Sequence, residues 1–141
     1  MSKKYLCLEC GEVYNSEQLN LSPFLEDILC PKSSCYGCLI EVDELLIPTI
    51  KLLNDKGYTT NYCCSGHYND HNPRCYILFA EGIDIPNVPK QFKKVKFGDC
   101  ISLKSLYSSK EQSYRDFYEI CDNAKTLLKW AIRLPYFEEV K

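Results

Sequence analysis

The chain has 141 residues, enough for one ordinary domain or for a small metal module joined to a compact domain. Charged residues make up 26% and hydrophobic residues 45%, which is typical of globular proteins. The formal net charge is −2, which excludes a global electrostatic attraction to nucleic acid or membrane. A local basic patch is still compatible with this balance. No segment approaches the roughly 20 apolar residues of a membrane span, so we expect no membrane association.

Ten cysteines are the unusual feature of the composition. Five of them lie within the first 38 residues in short-spaced clusters, and no apolar run of signal-peptide length precedes them. Short-spaced thiols in a chain that is not exported favour metal binding over disulfides. We therefore expect a cytoplasmic protein with Zn²⁺ held by cysteine thiolates.

Residues 1–40 resemble a zinc ribbon. Cys7-Leu-Glu-Cys10-Gly11 has the form of a zinc knuckle, in which two thiolates grip one ion and glycine allows the tight turn beneath it. A second pair must come from Cys30, Cys35 and Cys38. Tetrahedral zinc takes four ligands, so one of the five thiols is spare. Cys35 and Cys38 have the tighter spacing, but Cys30 is followed by proline and Cys35 is followed shortly by glycine, as in ribbon knuckles. We therefore favour Cys7, Cys10, Cys30 and Cys35, with Cys38 as the alternate. The expected role of the ion is to stabilise the fold.

Residues 41–57 predict the first helix. Apolar side chains recur there at helical spacing, at Leu46, Ile50 and Leu53. Asp43 or Glu44 suits the first position of the helix, and Gly57 suits the left-handed residue after its last turn.

The rest of the chain predicts an extended segment, a strand, a hairpin and a long helix. Residues 58–62 and 75–80 have strand character, and Gly98-Asp99 is a two-residue turn between strands at 92–97 and 100–106. A capping-box pattern at 108–111 opens an amphipathic helix whose apolar stripe includes Ala124, Leu128 and Ala131 and which should end before Pro135. We therefore predict an α+β fold, in which the zinc ribbon packs on a compact domain (41–141) with a mostly antiparallel sheet and two main helices.

The segment Cys63-Cys64-Ser65-Gly66-His67, followed by His71 and Cys75, has three interpretations. The cysteine–histidine spacing permits a second metal site, made of Cys64, His67, His71 and Cys75. A ligand-binding loop is the second interpretation, since backbone amides at Ser65 and Gly66 can face an anion while His67 adds hydrogen bonds or proton transfer. The third is a tight turn in which the cysteines pack as small hydrophobic side chains.

Residues 43–80 also resemble the helix–strand–loop core of the wybutosine-synthesis tRNA methyltransferases. The similarity rests on Asp43, Ile50, Leu53-Asn54, Gly57-Tyr58-Thr59, Cys64-Ser65-Gly66-His67 and Ile77-Leu78-Phe79. Those enzymes carry a Ser-Cys-Ser-Gly-Arg signature, whose first serine and whose arginine are replaced here by Cys63 and His67. The chain is similar as well to uncharacterised small bacterial and phage proteins that pair a zinc ribbon with such a loop. The resemblance implies a pocket for a nucleotide-like or other anionic ligand at Cys64, Ser65, Gly66, His67 and His71.

Lysines concentrate on or near the predicted hairpin, at Lys90, Lys93, Lys94, Lys96 and Lys104. Lys94 and Lys96 share one face of their strand and can contact phosphates together. A solvated outer face that discourages pairing at the sheet edge is the alternative.

Our leading hypothesis is a zinc-binding protein that binds a nucleotide-like or nucleic-acid ligand at the Cys-Ser-Gly-His loop, assisted by Lys94 and Lys96. One alternative is an enzyme acting on a nucleotide or RNA, with His67 as the acid/base catalyst. Another is a phage-type protein–protein adaptor or inhibitor that contains a structural zinc.

Overall fold

The computed structural model describes residues 3–19, 29–32, 35, 37, 39–64, 75–106 and 114–138. The regular elements in these ranges are β1 (Lys3–Cys7), β2 (Val13–Tyr14), β3 (Leu39–Asp43), α1 (Ile47–Asp55), β4 (Thr60–Cys64), β5 (Tyr76–Phe79), β6 (Phe92–Phe97), β7 (Cys100–Ser105) and α2 (Tyr114–Arg133). Two antiparallel sheets and two helices result, which confirms the predicted α+β fold.

The N-terminal sheet has three strands in the order β2-β1-β3. Strand β1 pairs antiparallel with β3 from Lys3 opposite Asp43 to Cys7 opposite Leu39. Because successive side chains of a strand point to opposite faces, neighbouring residues of β1 have different surroundings. Leu6 is buried in the main hydrophobic core, whereas Cys7 is buried in a small cluster with Cys30 and Leu39.

Helix α1 begins later than predicted. The predicted start, residues 41–43, is the end of β3, and a short 3₁₀ turn (Glu44–Leu46) leads into the helix at Ile47. Pairing with β1 holds this segment extended, since Glu41 lies opposite Tyr5 and Val42 lies opposite Lys4. Pro48 is then in the first turn of α1, where its missing N–H costs no helical hydrogen bond.

The end of α1 is the one predicted. Gly57 has a φ of +94°, a left-handed conformation that glycine adopts without the steric cost of a Cβ. The amide of Tyr58 donates to the carbonyl of Leu53, and that of Gly57 donates to Asn54. These two bonds form a Schellman motif, which satisfies the last carbonyls of the helix and directs the chain into β4.

The second sheet has four antiparallel strands in the order β4-β5-β7-β6. The predicted hairpin is confirmed, because Phe97 pairs with Cys100 across a turn in which Gly98 has a φ of +63°. One face of this sheet supplies Ile77, Phe79 and Leu103 to the main core.

Both helices contribute to that same core, α1 through Leu53 and α2 through Leu127 and Trp130. The predicted apolar stripe of α2 included Ala124, Leu128 and Ala131. The two alanines are buried, but Leu127 is fully buried in place of Leu128, which is only half-buried. Trp130, three residues after Leu127 on the same buried face, donates from its indole Nε1 to the Pro86 carbonyl at 3.0 Å.

Lys56 joins the ends of the two helices. Its ammonium Nζ donates to the carbonyl oxygens of Ala131, Ile132 and Leu134, at 2.8, 2.9 and 2.6 Å. These carbonyls belong to the last turn of α2 and to the residue after it, where helical partners are missing and a cation is favoured. The helix ends before Pro135, as predicted.

Strand β3 crosses the predicted domain boundary between residues 40 and 41, and Leu6 of β1 shares the main core with Phe79 of β5. The division into two domains itself stays a prediction. Neither helix that the structure describes is long and apolar enough to cross a membrane. The predicted capping box at 108–111 lies outside the described residues.

Candidate metal centre

The sulfur atoms of Cys7, Cys10, Cys30 and Cys35 all lie within 4.8 Å of one another. The Cys7 and Cys35 sulfurs are 3.6 Å apart, and those of Cys10 and Cys30 are 3.8 Å apart. A tetrahedral zinc ion with Zn–S bonds of about 2.3 Å places its sulfurs about 3.8 Å apart. The four cysteines that the sequence favours therefore have the spacing of a tetrahedral metal site.

The first pair of cysteines lies on a tight turn that follows β1. The Gly11 amide donates to the Cys7 carbonyl at 2.8 Å, and the Cys7 amide donates to the Glu12 carbonyl at 2.9 Å. Gly11 has a φ of +77°, so the backbone reverses there without the strain that a side chain would add. This turn brings the Cys10 sulfur beside the Cys7 sulfur, as the knuckle pattern predicted.

The second pair approaches the first across a glycine. The Cys30 amide donates to the Gly37 carbonyl at 2.9 Å, and the Cys35 amide donates to the Lys32 carbonyl at 3.0 Å. A Cβ added at Gly37 would lie 2.7 Å from the Cys7 sulfur and 2.7 Å from the Glu9 Cγ. Only glycine fits this close approach, so Gly37 allows the two cysteine pairs to share one centre.

Backbone amides support the thiolate form of all four cysteines. Each sulfur accepts from the amide two residues further along the chain, which belongs to Glu9, Glu12, Lys32 or Gly37. Hydrogen bonds to the charged form of an acid lower its pKa and favour that form. The repeated pattern is suited to four thiolates around one cation.

Tyr14 on β2 adds a side-chain contact to the centre, with its hydroxyl 3.3 Å from the Cys30 sulfur. Burial raises the pKa of Cys30. Hydrogen bonds from the Tyr14 hydroxyl, the Lys32 amide and the neighbouring thiols outweigh burial and lower the pKa to about 7. The same hydrogen bond raises the pKa of Tyr14, which keeps its proton. With a metal bound, this hydrogen bond from the Tyr14 hydroxyl would orient the Cys30 sulfur toward the ion.

Burial raises the pKa of Cys7, because desolvation outweighs the amides that face its sulfur. A metal cation offsets this desolvation cost directly, since the ligand binds as a thiolate and releases its proton. A bound cation would therefore favour the thiolate form of Cys7.

Most of the predicted ligand loop falls outside the described residues, including Ser65, Gly66, His67 and His71. Its two ends are described. Cys64 ends β4, is buried, and lies opposite Tyr76 of β5. Cys75 is fully buried in the main core, and this burial raises the pKa of its thiol, with the nearby Cys64, Cys63 and Asp43 adding to the effect. Such surroundings favour a neutral thiol at Cys75, as expected of a cysteine that packs as a hydrophobic side chain.

Lys94 and Lys96 lie on one face of β6, opposite Leu103 and Ile101 of β7. The Lys94 ammonium is 2.9 Å from the Asp84 carboxylate and so is already paired with an anion. Their predicted contact with a ligand phosphate stays a prediction.

Two residues of the centre, Tyr14 and Gly37, do not appear among the predicted site residues. Nothing in the pattern around Tyr14 marks it, because tyrosine is abundant in this chain. Gly37 carries a weak signal, since a glycine next to closely spaced cysteines is typical of a metal-binding turn. The alternate ligand Cys38 lies outside the described residues.

Comparisons with protein-family models, with curated proteins and with solved structures gave no match to this chain. The predicted resemblances to wybutosine-synthesis methyltransferases and to phage zinc-ribbon proteins therefore stay predictions. Function has to be argued from the geometry of the chain itself.

Proposed function

We propose that the N-terminal module binds one Zn²⁺ ion through Cys7, Cys10, Cys30 and Cys35, and that this ion is structural. The observation that carries the proposal is the mutual approach of four sulfurs at tetrahedral spacing. Four soft thiolates in this geometry select zinc or iron among the common metals. Catalytic zinc keeps one position open for water or substrate, whereas four cysteines fill all four positions.

Elemental analysis of the purified protein tests the metal proposal. We expect one zinc per chain, and a Cys10→Ser variant should lose zinc during dialysis against a chelator that the wild type withstands. Cys121→Ser is the matched control, since Cys121 is a half-buried cysteine on α2, away from the centre. Loss of zinc in Cys38→Ser with retention in Cys35→Ser would show that the ligand set is wrong, and stoichiometric iron would show that the metal is wrong.

The zinc-stabilised chain, in our proposal, binds a nucleotide-like or nucleic-acid ligand near the Cys-Ser-Gly-His loop. The supporting observation is the charge of the second sheet. Its four strands contain four lysines and no aspartate or glutamate, although the whole chain has a formal net charge of −2. A phosphate-bearing ligand is the partner that such an uneven charge distribution favours.

The two ends of the loop also lie close to lysines. Cys64 and Tyr76 pair with each other, Tyr76 pairs with Lys104, and Lys104 pairs with Lys93. Directly opposite residues of neighbouring antiparallel strands share one face of a sheet, and strands are about 4.8 Å apart. Cys64 therefore lies about 10 Å from Lys104 and about 14 Å from Lys93 on the same face, and Tyr76 lies between Cys64 and the two lysines.

Binding of a mononucleotide and of a short single-stranded RNA, measured by titration calorimetry, tests the ligand proposal. We expect the double variant Ser65→Ala/His67→Ala to weaken binding by about 10-fold or more, as expected when hydrogen bonds to a charged ligand are lost. Asn61→Ala, an exposed change on β4, should leave the affinity unchanged. Unchanged affinity of the double variant for every nucleotide and oligonucleotide would refute the assignment of the loop.

A further inference from the structure

The second sheet has an outer face opposite to the one that packs on the helices. Its middle row of side chains runs across all four strands, because Tyr62 pairs with Leu78, Leu78 with Ser102, and Ser102 with Val95. A β-bulge between Thr60 and Tyr62 turns β4 so that Thr60 is buried while Tyr62 is 66% exposed. The bulge thus aims an aromatic ring outward at the edge of the sheet.

A second aromatic ring is exposed at the far side of the same face. Phe97 of β6 is 70% exposed and lies two residues beyond Val95, on the same side of the strand. Between the two rings is an apolar groove of about 250 Å³ that Tyr76, Leu78 and Lys104 also line. From β4 to β6 the face spans three strand spacings, about 14 Å.

Two lysines lie directly opposite each other beside this groove. Lys93 of β6 pairs with Lys104 of β7, and like charges in this position repel. Among the residues that the structure describes, neither lysine has an acidic partner. The arrangement costs energy in the free protein, and a bound anion would remove that cost.

We propose that the outer face of the second sheet binds single-stranded nucleic acid, with bases stacked on Tyr62, Tyr76 and Phe97 and phosphates held by Lys93 and Lys104. The inference rests on the proposed function and deepens it, because it names the surface and the form of the ligand. Open four-stranded sheets that bind single-stranded RNA stack two or three bases on aromatic side chains in this way. Paired bases are already stacked within a duplex, so their faces are not available to the rings.

Charge favours this occupant over a second copy of the chain. The strands of the face carry lysines without any acidic side chain, so two copies would bring cations against cations. Single-stranded nucleic acid supplies an apolar surface and a negative charge for each nucleotide, which matches a groove with aromatic walls and a basic rim.

Fluorescence anisotropy with labelled ten-nucleotide single-stranded RNA and DNA of the same mixed sequence tests the proposal. Tyr62→Ala and Phe97→Ala should each weaken binding about 5- to 150-fold, the effect of losing one base–aromatic stack. Tyr62→Phe should retain binding, because the ring is kept. The matched control is Tyr136→Ala, since Tyr136 is also 70% exposed but lies after α2, outside this face.

The two paired lysines of the face allow a second, electrostatic test. Lys93→Gln/Lys104→Gln should reduce the slope of log affinity against log salt concentration by about 1.4 for a single strand, the value for two lost phosphate contacts. Lys129→Gln removes an exposed lysine of α2, outside this face, and should leave the slope closer to that of the wild type. Unequal binding of RNA and DNA would identify which of the two the face prefers.

Several results would overturn the proposal. One is wild-type affinity for both oligonucleotides in Tyr62→Ala and Phe97→Ala, and another is equally tight binding of a duplex. If these variants bind normally but Ser65→Ala/His67→Ala does not, the loop alone is the site and only the present inference fails. If no oligonucleotide or mononucleotide binds, both proposals fail. Self-association lost in Phe97→Ala, or capture of an acidic peptide instead of an oligonucleotide, would assign the face to a protein.

Discussion

The two sides of strand β1 face two differently built regions, the main hydrophobic core and the cysteine cluster. Leu6 packs into the main core, which is made of aliphatic and aromatic side chains from both sheets and both helices. Cys7, the next residue, lies in a cluster whose buried members are only Cys7, Cys30 and Leu39 among the described residues. These three residues by themselves bury too little apolar surface to stabilise a fold.

With the proposed ion bound, metal coordination and hydrophobic burial would stabilise opposite faces of strand β1. Small modules with little apolar surface obtain their folding free energy from a metal. The larger core needs no such support, because Leu53, Phe79 and Leu127 are completely buried there. Perturbing each side separately should therefore give separate effects.

Removal of the metal should have the largest effect, confined at first to the N-terminal side. Chelation should abolish protection of the Cys7, Gly11 and Cys30 amides against hydrogen exchange, since structural zinc supplies about 10–16 kcal/mol in isolated zinc fingers. The Ser105 amide, bonded to the Cys75 carbonyl in the second sheet, should keep its protection. Simultaneous loss of protection at both places would show that the two sides form one cooperative unit.

Leu127→Ala should give the next largest effect, on the opposite side. Truncating this fully buried side chain is expected to lower the free energy of unfolding by about 2–5 kcal/mol. Urea unfolding followed by the fluorescence of Trp130, the single tryptophan, measures the change. Ile132→Ala on the exposed face of the same helix should cost only about 0.5 kcal/mol. If zinc content falls along with stability in Leu127→Ala, the separation of the two sides is wrong.

Lys56→Met should have an intermediate effect, because it removes the cation that bonds three carbonyls at the end of α2. We expect a loss of about 1–3 kcal/mol in the free energy of unfolding. Lys125→Met, an exposed lysine of the same helix, is the control. A change equal to that of the control would mean that water replaces the ammonium at no cost.

Asp84→Asn should have the smallest effect. The hydrogen bond from Lys94, aided by the Ile85 amide, lowers the pKa of Asp84 in the folded chain. A carboxyl group with a lowered pKa stabilises the fold at pH values above its unfolded pKa of about 3.9. This stabilisation is lost as the pH falls through the pKa of the folded state. Because the Asp84 side chain is 76% exposed, we expect less than about 0.5 kcal/mol at neutral pH. A larger effect that survives high salt would contradict an exposed, screened pair.

Local signals in the sequence were sufficient for much of the fold and for the cysteines that the structure brings together. Gly57 and the Gly98-Asp99 turn are predictable, because the end of a helix and a two-residue hairpin turn are determined by a few residues that are adjacent in sequence. The grouping of Cys7, Cys10, Cys30 and Cys35 follows a similar local signal, since short-spaced pairs of thiols are typical of a tetrahedral site, while the alternate Cys38 lies outside the described residues.

Features that depend on distant contacts could not be predicted in this way. Glu41 and Val42 were assigned to a helix, and only their pairing with β1 makes them a strand. Leu127 and Leu128 both fit a spacing of three to four residues, and the choice between them depends on how the helix packs on the distant residues of the core. The contact of Tyr14 with Cys30 likewise requires two segments that are far apart in sequence.

The position of the four cysteines along the chain has a consequence for biosynthesis. All four have been synthesised by residue 35, whereas the second sheet is complete only at Ser105, about 70 residues later. Ribosomes add about 5–20 residues per second, so the four cysteines are present in the nascent chain for several seconds before the main core can form. Zinc bound in that interval would order β1 first, so that Leu6 is already in place when the other residues of the main core pack against it.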